Sequence, residues 1–395
     1  MSVRIIAFEA LQDFIPLYPL YQLLFADHGL SAAQISTLFV IWSATGFVLE
    51  VPSGAWADSY SRRKLLILGA LLSAVGYAAW ITLPSYAGFA LGFVLWGMSS
   101  ALISGTYEAF VYDELAARER TAHFPTLLGR ARSASFVMNL AATALAAPLF
   151  GLGGYVLAGV VSVVSCLMQA LVAWSLPEAR PVEAARESDE PGARAAFGNY
   201  LHMIRSGVTE VLTSRAVRRI VVLVAVLGGF LSFDEYFPLL ARETGATTGV
   251  IPLLIAGTVA AQAIGGALAG PAYRLPAATF AIGTAVVAVL MAVGALSGSA
   301  WGFLPIALGY GALQLVIVVS EARLQDAITG PARATVTSVS GLFGEFAAIA
   351  VYGGFALGSV WFTISTLVAG LTLPLLMTAF VIPAALPAAR DPVQT

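Results

Sequence analysis

Apolar runs close to twenty residues long recur from one end of this chain to the other, and few folds accept them. A run of about 20 residues matches the hydrocarbon core of a bilayer, where every backbone N–H and C=O must be paired within its own segment, so each run is a spanning helix. Composition agrees: of 395 residues, 59% are hydrophobic and 11% charged, far from the balance of a soluble domain. Apolar runs and turn residues predict an all-α membrane protein with twelve spans, at about 5–26, 33–56, 65–83, 87–112, 131–150, 154–176, 217–240, 249–270, 276–297, 302–324, 335–357 and 361–383. A secretory signal has a charge-free apolar core, whereas the first run contains Glu9 and Asp13, so it reads as a retained helix.

With a cytoplasmic N-terminus, 19 of the 20 basic residues fall on inward segments and only Arg242 on an outward one. The positive-inside rule then sets an even number of spans with both termini cytoplasmic, in a plasma (inner) membrane. The polar stretch 177–215, containing "PEARPVEAARESDEPGARAAFG", separates a six-helix half at 1–176 from another at 216–395. It reads as a cytoplasmic linker with an amphipathic piece near "FGNYLHMIRSGV". The halves echo each other. "GAWAD" at 54–58 pairs with "GALAG" at 266–270, "EAFVYD" at 108–113 with "EARLQD" at 321–326, and "DFIPL" at 13–17 with "EYFPL" at 235–239. Shared order and near-constant spacing predict two pseudo-symmetric halves with a site between them.

The loop "GAWADSYSRRKLL" at 54–66 resembles the signature between the second and third helices of the major facilitator superfamily. Gly54, Asp58, Arg62, Arg63 and Lys64 match it, while Trp56, Ser59 and Ser61 depart from it. The resemblance spans essentially the whole chain and implies a gating loop, with Asp58 near the segment from Arg333 to Val336 and Arg62 near Asp113. Gly54 would permit close helix approach. Arg62, Arg63 and Lys64 equally satisfy the positive-inside rule. "AAPLFGLGG" at 146–154 resembles the glycine–proline signature on helix 5 of drug:proton antiporters, with Ala147 where glycine is usual, and it also fits an ordinary Gly-rich helix end. The basic residue those exporters carry on helix 4 is absent from "GFVLWGMSSAL".

A charged side chain deep in a bilayer costs at least about 2.5–3.5 kcal/mol against lipid, so acids inside spans mark functional candidates. As one continuous helix, the first span would carry Asp13 roughly 13 Å inward, with Glu9 one turn shallower on the same face. Asp13 is the first candidate for proton coupling or cation binding, against a structural hydrogen-bonded carboxyl. The resemblance implies a cavity lined by helices 1, 4, 7 and 10. Glu345, Asp234 and Glu235 are further candidates, the last two about 100° apart on one helix. Tyr18, Tyr21, Tyr107 and Asn139, with Trp42 and Phe233, are candidate lining. Glu50 reads as a packing or gating acid, and Glu108 and Glu321 as structural ion-pair partners of nearby arginines. Every Arg and Lys is placed near a span end or in a loop, so protonation or a mobile cation must relieve the carboxylates. This favours cationic, zwitterionic or neutral cargo.

The only lysine, Lys64, lies outside any phosphate-binding loop pattern, so a gradient rather than ATP is the expected drive. One cysteine, Cys166, and three scattered histidines suggest no metal site. No catalytic signature, cofactor motif or nucleic-acid footprint stands out, and net charge is −2. The expected protein is a monomeric secondary transporter of small molecules working by alternating access, with proton-coupled export first. Uptake or facilitated diffusion comes next, then a non-transporting membrane sensor, and last an intramembrane enzyme.

Overall fold

The computed structural model describes residues 1–177, 214–328 and 333–389, and among them it is helical without strands. The expected linker at 177–215, with its amphipathic piece, lies outside the described residues except at its edges. The chain forms two compact units, Met1–Tyr200 and Leu201–Thr395.

The first unit holds α1 (Ser2–Gln12), α2 (Tyr21–Asp27), α3 (Ala32–Ser59), α4 (Arg62–Thr82), α5 (Tyr86–Ala116) and α6 (Phe124–Ser175). The second holds α7 (Arg215–Leu231), a 3-10 turn (Ser232–Tyr236), α8 (Phe237–Glu243), α9 (Ile251–Ala272), α10 (Ala277–Leu296), α11 (Phe303–Ala327), α12 (Arg333–Gly358) and α13 (Ile364–Ala385). Among the described residues ten stretches are long and apolar enough to span a bilayer, and one of them, Thr121–Ser175, is double length. The broken pair α1 and α2 completes twelve spans in two groups of six.

Run straight, α6 would measure about 78 Å, more than twice a bilayer core. It breaks at Gly153 and Gly154, where Gly154 takes a φ of 61° that a side chain resists. The two arms then flank α1. Ser135 on the first arm bonds Asp13, and Ser165 on the second bonds the Leu11 carbonyl at 3.0 Å. Short loops are closed by serine and threonine caps, among them the Ser31–Gln34 capping box and Ser61 on Lys64. In the second unit α9 and α11 touch backbone to backbone: a Cβ at Gly265 would stand 1.9 Å from the Gly311 oxygen. At Gly54 a Cβ would meet nothing within 4 Å, while a Cβ at Gly105 on α5 would stand 3.9 Å from the Gly54 Cα, so α3 and α5 are in ordinary contact there.

The first span departs most from expectation, since it is not one helix over 5–26. Pro16 has no N–H for the Gln12 carbonyl, and its ring collides with a helical turn there, while Pro19 repeats the conflict at Ile15. Helix α1 therefore stops at Gln12, with Asp13 as its C-terminal cap, and resumes only at Tyr21. Backbone left unpaired by a break is tolerated in a membrane only if protein satisfies it. The second arm of α6 does so. Gln169 donates to the Phe8 carbonyl at 3.3 Å, Ser165 serves Leu11, and Ser162 accepts the Leu17 N–H at 3.1 Å. The seventh span breaks likewise before Pro238, and Tyr310 donates to the Leu231 carbonyl at 3.0 Å.

Both broken spans are pinned at both ends to the sixth span of their own half. Arg4 donates to the Ser175 carbonyl at 2.6 Å and Arg63 to Leu176 at 3.2 Å. In the second unit Arg219 reaches Ala384 at 3.4 Å and Arg323 reaches Pro387 at 2.9 Å. Cations thus meet the negative ends of α6 and α13. At the opposite ends Tyr155 donates to Asp27, and Glu243 accepts the N–H groups of Ile364 and Ser365 at 2.8 and 2.9 Å. Glu243→Ala should accordingly lower stability by about 1 kcal/mol, the cost of a lost helix cap, read as a lower melting temperature in detergent. An unchanged melting point would show that the α13 N–H groups find other partners.

Candidate functional site

The acids of the first span sit at its break. Asp13 is half-buried and accepts a hydrogen bond from the buried Ser135 hydroxyl on α6. One turn back, Glu9 faces Asp13, Glu108 and Arg132. Phe8 and Tyr107 stack with centroids 5.5 Å apart, and the Tyr107 hydroxyl donates to the Ile5 carbonyl at 3.0 Å, which brings α5 against α1 beside these charges. Arg132 Nη2 donates to Glu108 Oε1 at 2.6 Å across α6 and α5, with both side chains about half exposed. Three carboxylates and one guanidinium therefore share one wall of the unit. Along the first arm of α6, Arg132, Ser135 and Asn139 follow a helical i, i+3, i+7 pattern and lie on one face.

Arg132 stands at the edge of the apolar run of the fifth span, inside a helix that begins before that run. Helix α6 starts at Phe124, not near residue 131, so Arg132 is about 12 Å along it. Two polar turns of the helix thus precede the apolar run. Glu108 has the ion pair expected of it, whereas Glu321 does not: it is exposed, with no ion pair among the described residues. Its neighbour Arg323, about 200° around the helix, turns into the protein and binds carbonyls instead.

The aromatic candidates divide by burial. Tyr21 is 2% exposed within a cluster of Phe25, Phe39, Trp80 and Phe93, so it is core rather than lining. Tyr107 and Phe233 are buried too, the latter against Phe237 and Tyr310. Tyr18 and Trp42 are half-buried and both lie against Trp96, Trp42 stacked at 4.7 Å and Tyr18 at 5.4 Å. Tyr77 donates to the Tyr18 hydroxyl at 3.4 Å. Asn139 stays half-exposed on its face of α6. Sequence reasoning missed Trp96, which stands in the stretch searched only for a base, and Ser135, for which no signal exists.

In the second unit Asp234 and Glu235 lie on the 3-10 turn, not on a continuous helix, so their directions differ by about 120°. Glu235 occupies the place relative to Pro238 that Asp13 has relative to Pro16. Tyr310, whose hydroxyl donates to the Leu231 carbonyl, faces Asp234, and Tyr352 faces both acids. Tyr236 stacks on Phe355 at 3.7 Å beside them. Glu345 is exposed on α12 and Glu50 on α3, two residues before Pro52. Between α3 and α4, Arg62 pairs with Asp113 and also holds the carbonyls of Ala57 at 3.2 Å and Ala109 at 2.9 Å. Arg63 turns to the end of α6. The Asp58 and Arg333 side chains lie outside the described residues. At the position equivalent to Asp113, Asp326 accepts a bond from Tyr273, so each half ties this aspartate to the junction between its second and third spans.

Twelve spans in two similar sets of six, each set opening with a span broken at a carboxylate, is the build of a membrane transporter. The family model of the Major Facilitator Superfamily matches residues 5–352, and the chain belongs to that superfamily. Comparison with curated protein sequences gave no match. Among solved structures, a single-residue variant of the nucleoside transporter NupG is similar with a TM-score of 0.78 at 10% identity, over 98% of this chain and 99% of that one. A D-xylose-proton symporter follows at 0.70 and 14% identity, over 98% of both chains. A bacterial homologue of the human lysosomal transporter Spinster, in an inward-facing and unoccupied conformation, gives 0.67 and 15%, over 98% of this chain and 94% of that one. At these identities the likeness is one of fold. The protein is a multi-pass membrane transporter.

Proposed function

We propose that the protein exports a small organic molecule, cationic, zwitterionic or neutral, in exchange for protons across an inner membrane, with both termini cytoplasmic. The observation that carries the proposal is the setting of Asp13. It is a carboxyl inside a broken span whose side-chain partner is a neutral hydroxyl rather than a base, so it is free to take up and release a proton. Arg132 is already engaged by Glu108, which leaves two carboxylates of the wall uncompensated and suits cargo carrying positive charge. Tyr18, Trp42 and Trp96 add aromatic faces that attract such a group. The helix-5 resemblance gives the direction.

A thermal-shift screen of organic cations, zwitterions and neutral solutes would supply cargo for proteoliposomes with an imposed pH gradient. Accumulation into acid-loaded, inside-out vesicles, collapsed by a protonophore, is expected. Flux indifferent to the protonophore would end the coupling proposal, and accumulation into vesicles held acid outside, with protons and cargo entering together, would replace exchange-driven export by uptake. Asp58 with Arg62 serves as the cytoplasmic latch in this reading. Asp58→Asn should insert normally, slow transport and shift labelling toward the inward-open state. Unchanged turnover with unchanged labelling on both faces would reject the latch.

A further inference from the structure

We infer that Arg132 and Glu108 are positioning residues for coupling: Arg132 pairs with Glu108 beside Glu9, so the charge on the first span sets how tightly α5 is held to α6. The inference rests on the proton-coupled reading of Asp13 and goes beyond it, by naming how proton loading reaches the loop between the second and third spans.

The geometry is compact. Arg132 donates to Glu108 at 2.6 Å, and Glu9 faces this pair from α1. The Phe8–Tyr107 stack fixes the register, since the residues that follow these two rings are Glu9 and Glu108. Ser135, one turn beyond Arg132 on the same face, holds Asp13. The other titratable groups near the wall are Tyr107, whose hydroxyl is spent on the Ile5 carbonyl, and Tyr77, which lies toward Asp13 and is bonded to Tyr18. Beyond the backbone, Arg132 is thus the positive charge that faces Glu9 and Glu108 among the described residues.

With Glu9 and Asp13 ionised, Arg132 is drawn toward α1 and its hold on Glu108 weakens. When the first span takes a proton, Arg132 goes wholly to Glu108. Helix α5 feels the difference, and five residues further along it Asp113 grips Arg62 while the Ala109 carbonyl takes a second bond from the same guanidinium. One helix therefore carries both the contact that senses the proton and the contact that holds the loop. Packed helices shift as bodies, so a change at Glu108 is delivered to Asp113.

The two partners of this pair should move the pH profile in opposite directions. Arg132→Gln removes the positive charge that favours ionised carboxylates, so protonation persists to higher pH. Glu108→Gln removes a like charge and releases Arg132 to Glu9, so protonation requires lower pH. An exposed, merely structural ion pair would respond alike to loss of either partner. The test uses the full-length protein in liposomes, with proton flux read by an internal pH dye and cargo flux in parallel. The half-maximal pH should rise by about 0.5–1 unit in Arg132→Gln and fall by a similar amount in Glu108→Gln, after allowance for solvent screening. Arg132→Lys, which keeps the charge, should restore the wild-type midpoint.

Shifts of the same sign, or equal loss of turnover with fixed midpoints, overturn the inference while leaving Asp13 coupling intact. Absence of proton flux in the wild-type protein overturns the coupling reading itself. Should either glutamine variant fail to insert, alanine at the same position removes the same charge and keeps the comparison of signs.

Discussion

Asp13→Asn should abolish accumulation driven by a pH gradient while leaving exchange of cargo across the membrane partly intact. Asparagine has nearly the volume of aspartate, and its side-chain oxygen can still accept the Ser135 hydroxyl bond, so the cap of α1 and the break in the first span are kept. What it cannot do is exchange a proton. Cargo exchange needs no net proton movement and survives a permanently neutral side chain, whereas uphill transport needs the charge to alternate. Glu9→Gln should be milder, because Glu9 lies a turn away from the break, beside the Arg132–Glu108 pair. The assay is proteoliposome transport under an imposed gradient, set beside counterflow without one. Uphill transport by Asp13→Asn at the wild-type rate would make Asp13 a structural carboxyl and pass the candidacy to Asp234, on the corresponding break of the second unit, or to Glu345.

The number of spans and the division into halves were legible because both rest on hydropathy summed over twenty residues, which a single proline or charge barely disturbs. The same averaging concealed the break in the first span. Pro16 and Pro19 stand in plain view, but prolines are tolerated in membrane helices, so they do not announce whether a helix kinks or stops. It stops because the α6 face carrying Ser162, Ser165 and Gln169 supplies the bonds the backbone loses, and those partners lie about 150 residues away. The start of the fifth span's helix was misplaced for a related reason. The positive-inside rule sorts arginines by the nearest apolar edge, and α6 begins two turns before its edge. The Arg62–Asp113 contact was implied by family resemblance, and the same two residues meet in the structure. The Arg323 cage had no such precursor, since its acceptors are backbone carbonyls in two places, the loop at Tyr273 and Leu275 and the chain after α13 at Pro387.

Arg323→Ala should be the most destabilising single change in the second unit. Its side chain is 1% exposed, and its guanidinium donates to Leu275 at 2.7 Å, Pro387 at 2.9 Å and the Tyr273 carbonyl, joining the ends of α9, α10 and α13 from α11. The same group lies over the rings of Tyr273 and Phe280 at 5.5 and 5.2 Å. Truncation would leave three carbonyls short of a donor, open a void under two aromatic rings and loosen Tyr273, which also holds Asp326. Charged hydrogen bonds are worth about 1.5–3 kcal/mol each, and partial rehydration at a helix end returns some of that, so a loss of about 3 kcal/mol is expected. For a unit of this size that is a fall of roughly 6–12 °C in melting temperature. Arg323→Lys should lie between, because one ammonium cannot fork across three acceptors. Arg219→Ala, which removes an exposed donor 3.4 Å from the same end of α13, should change little and serves as the control. Equal melting of Arg323→Ala and wild type would mean that the cage is incidental. A large fall confined to Arg323 would show that α9, α10 and α13 are locked at one point, so that the part of the second unit they form turns as one body.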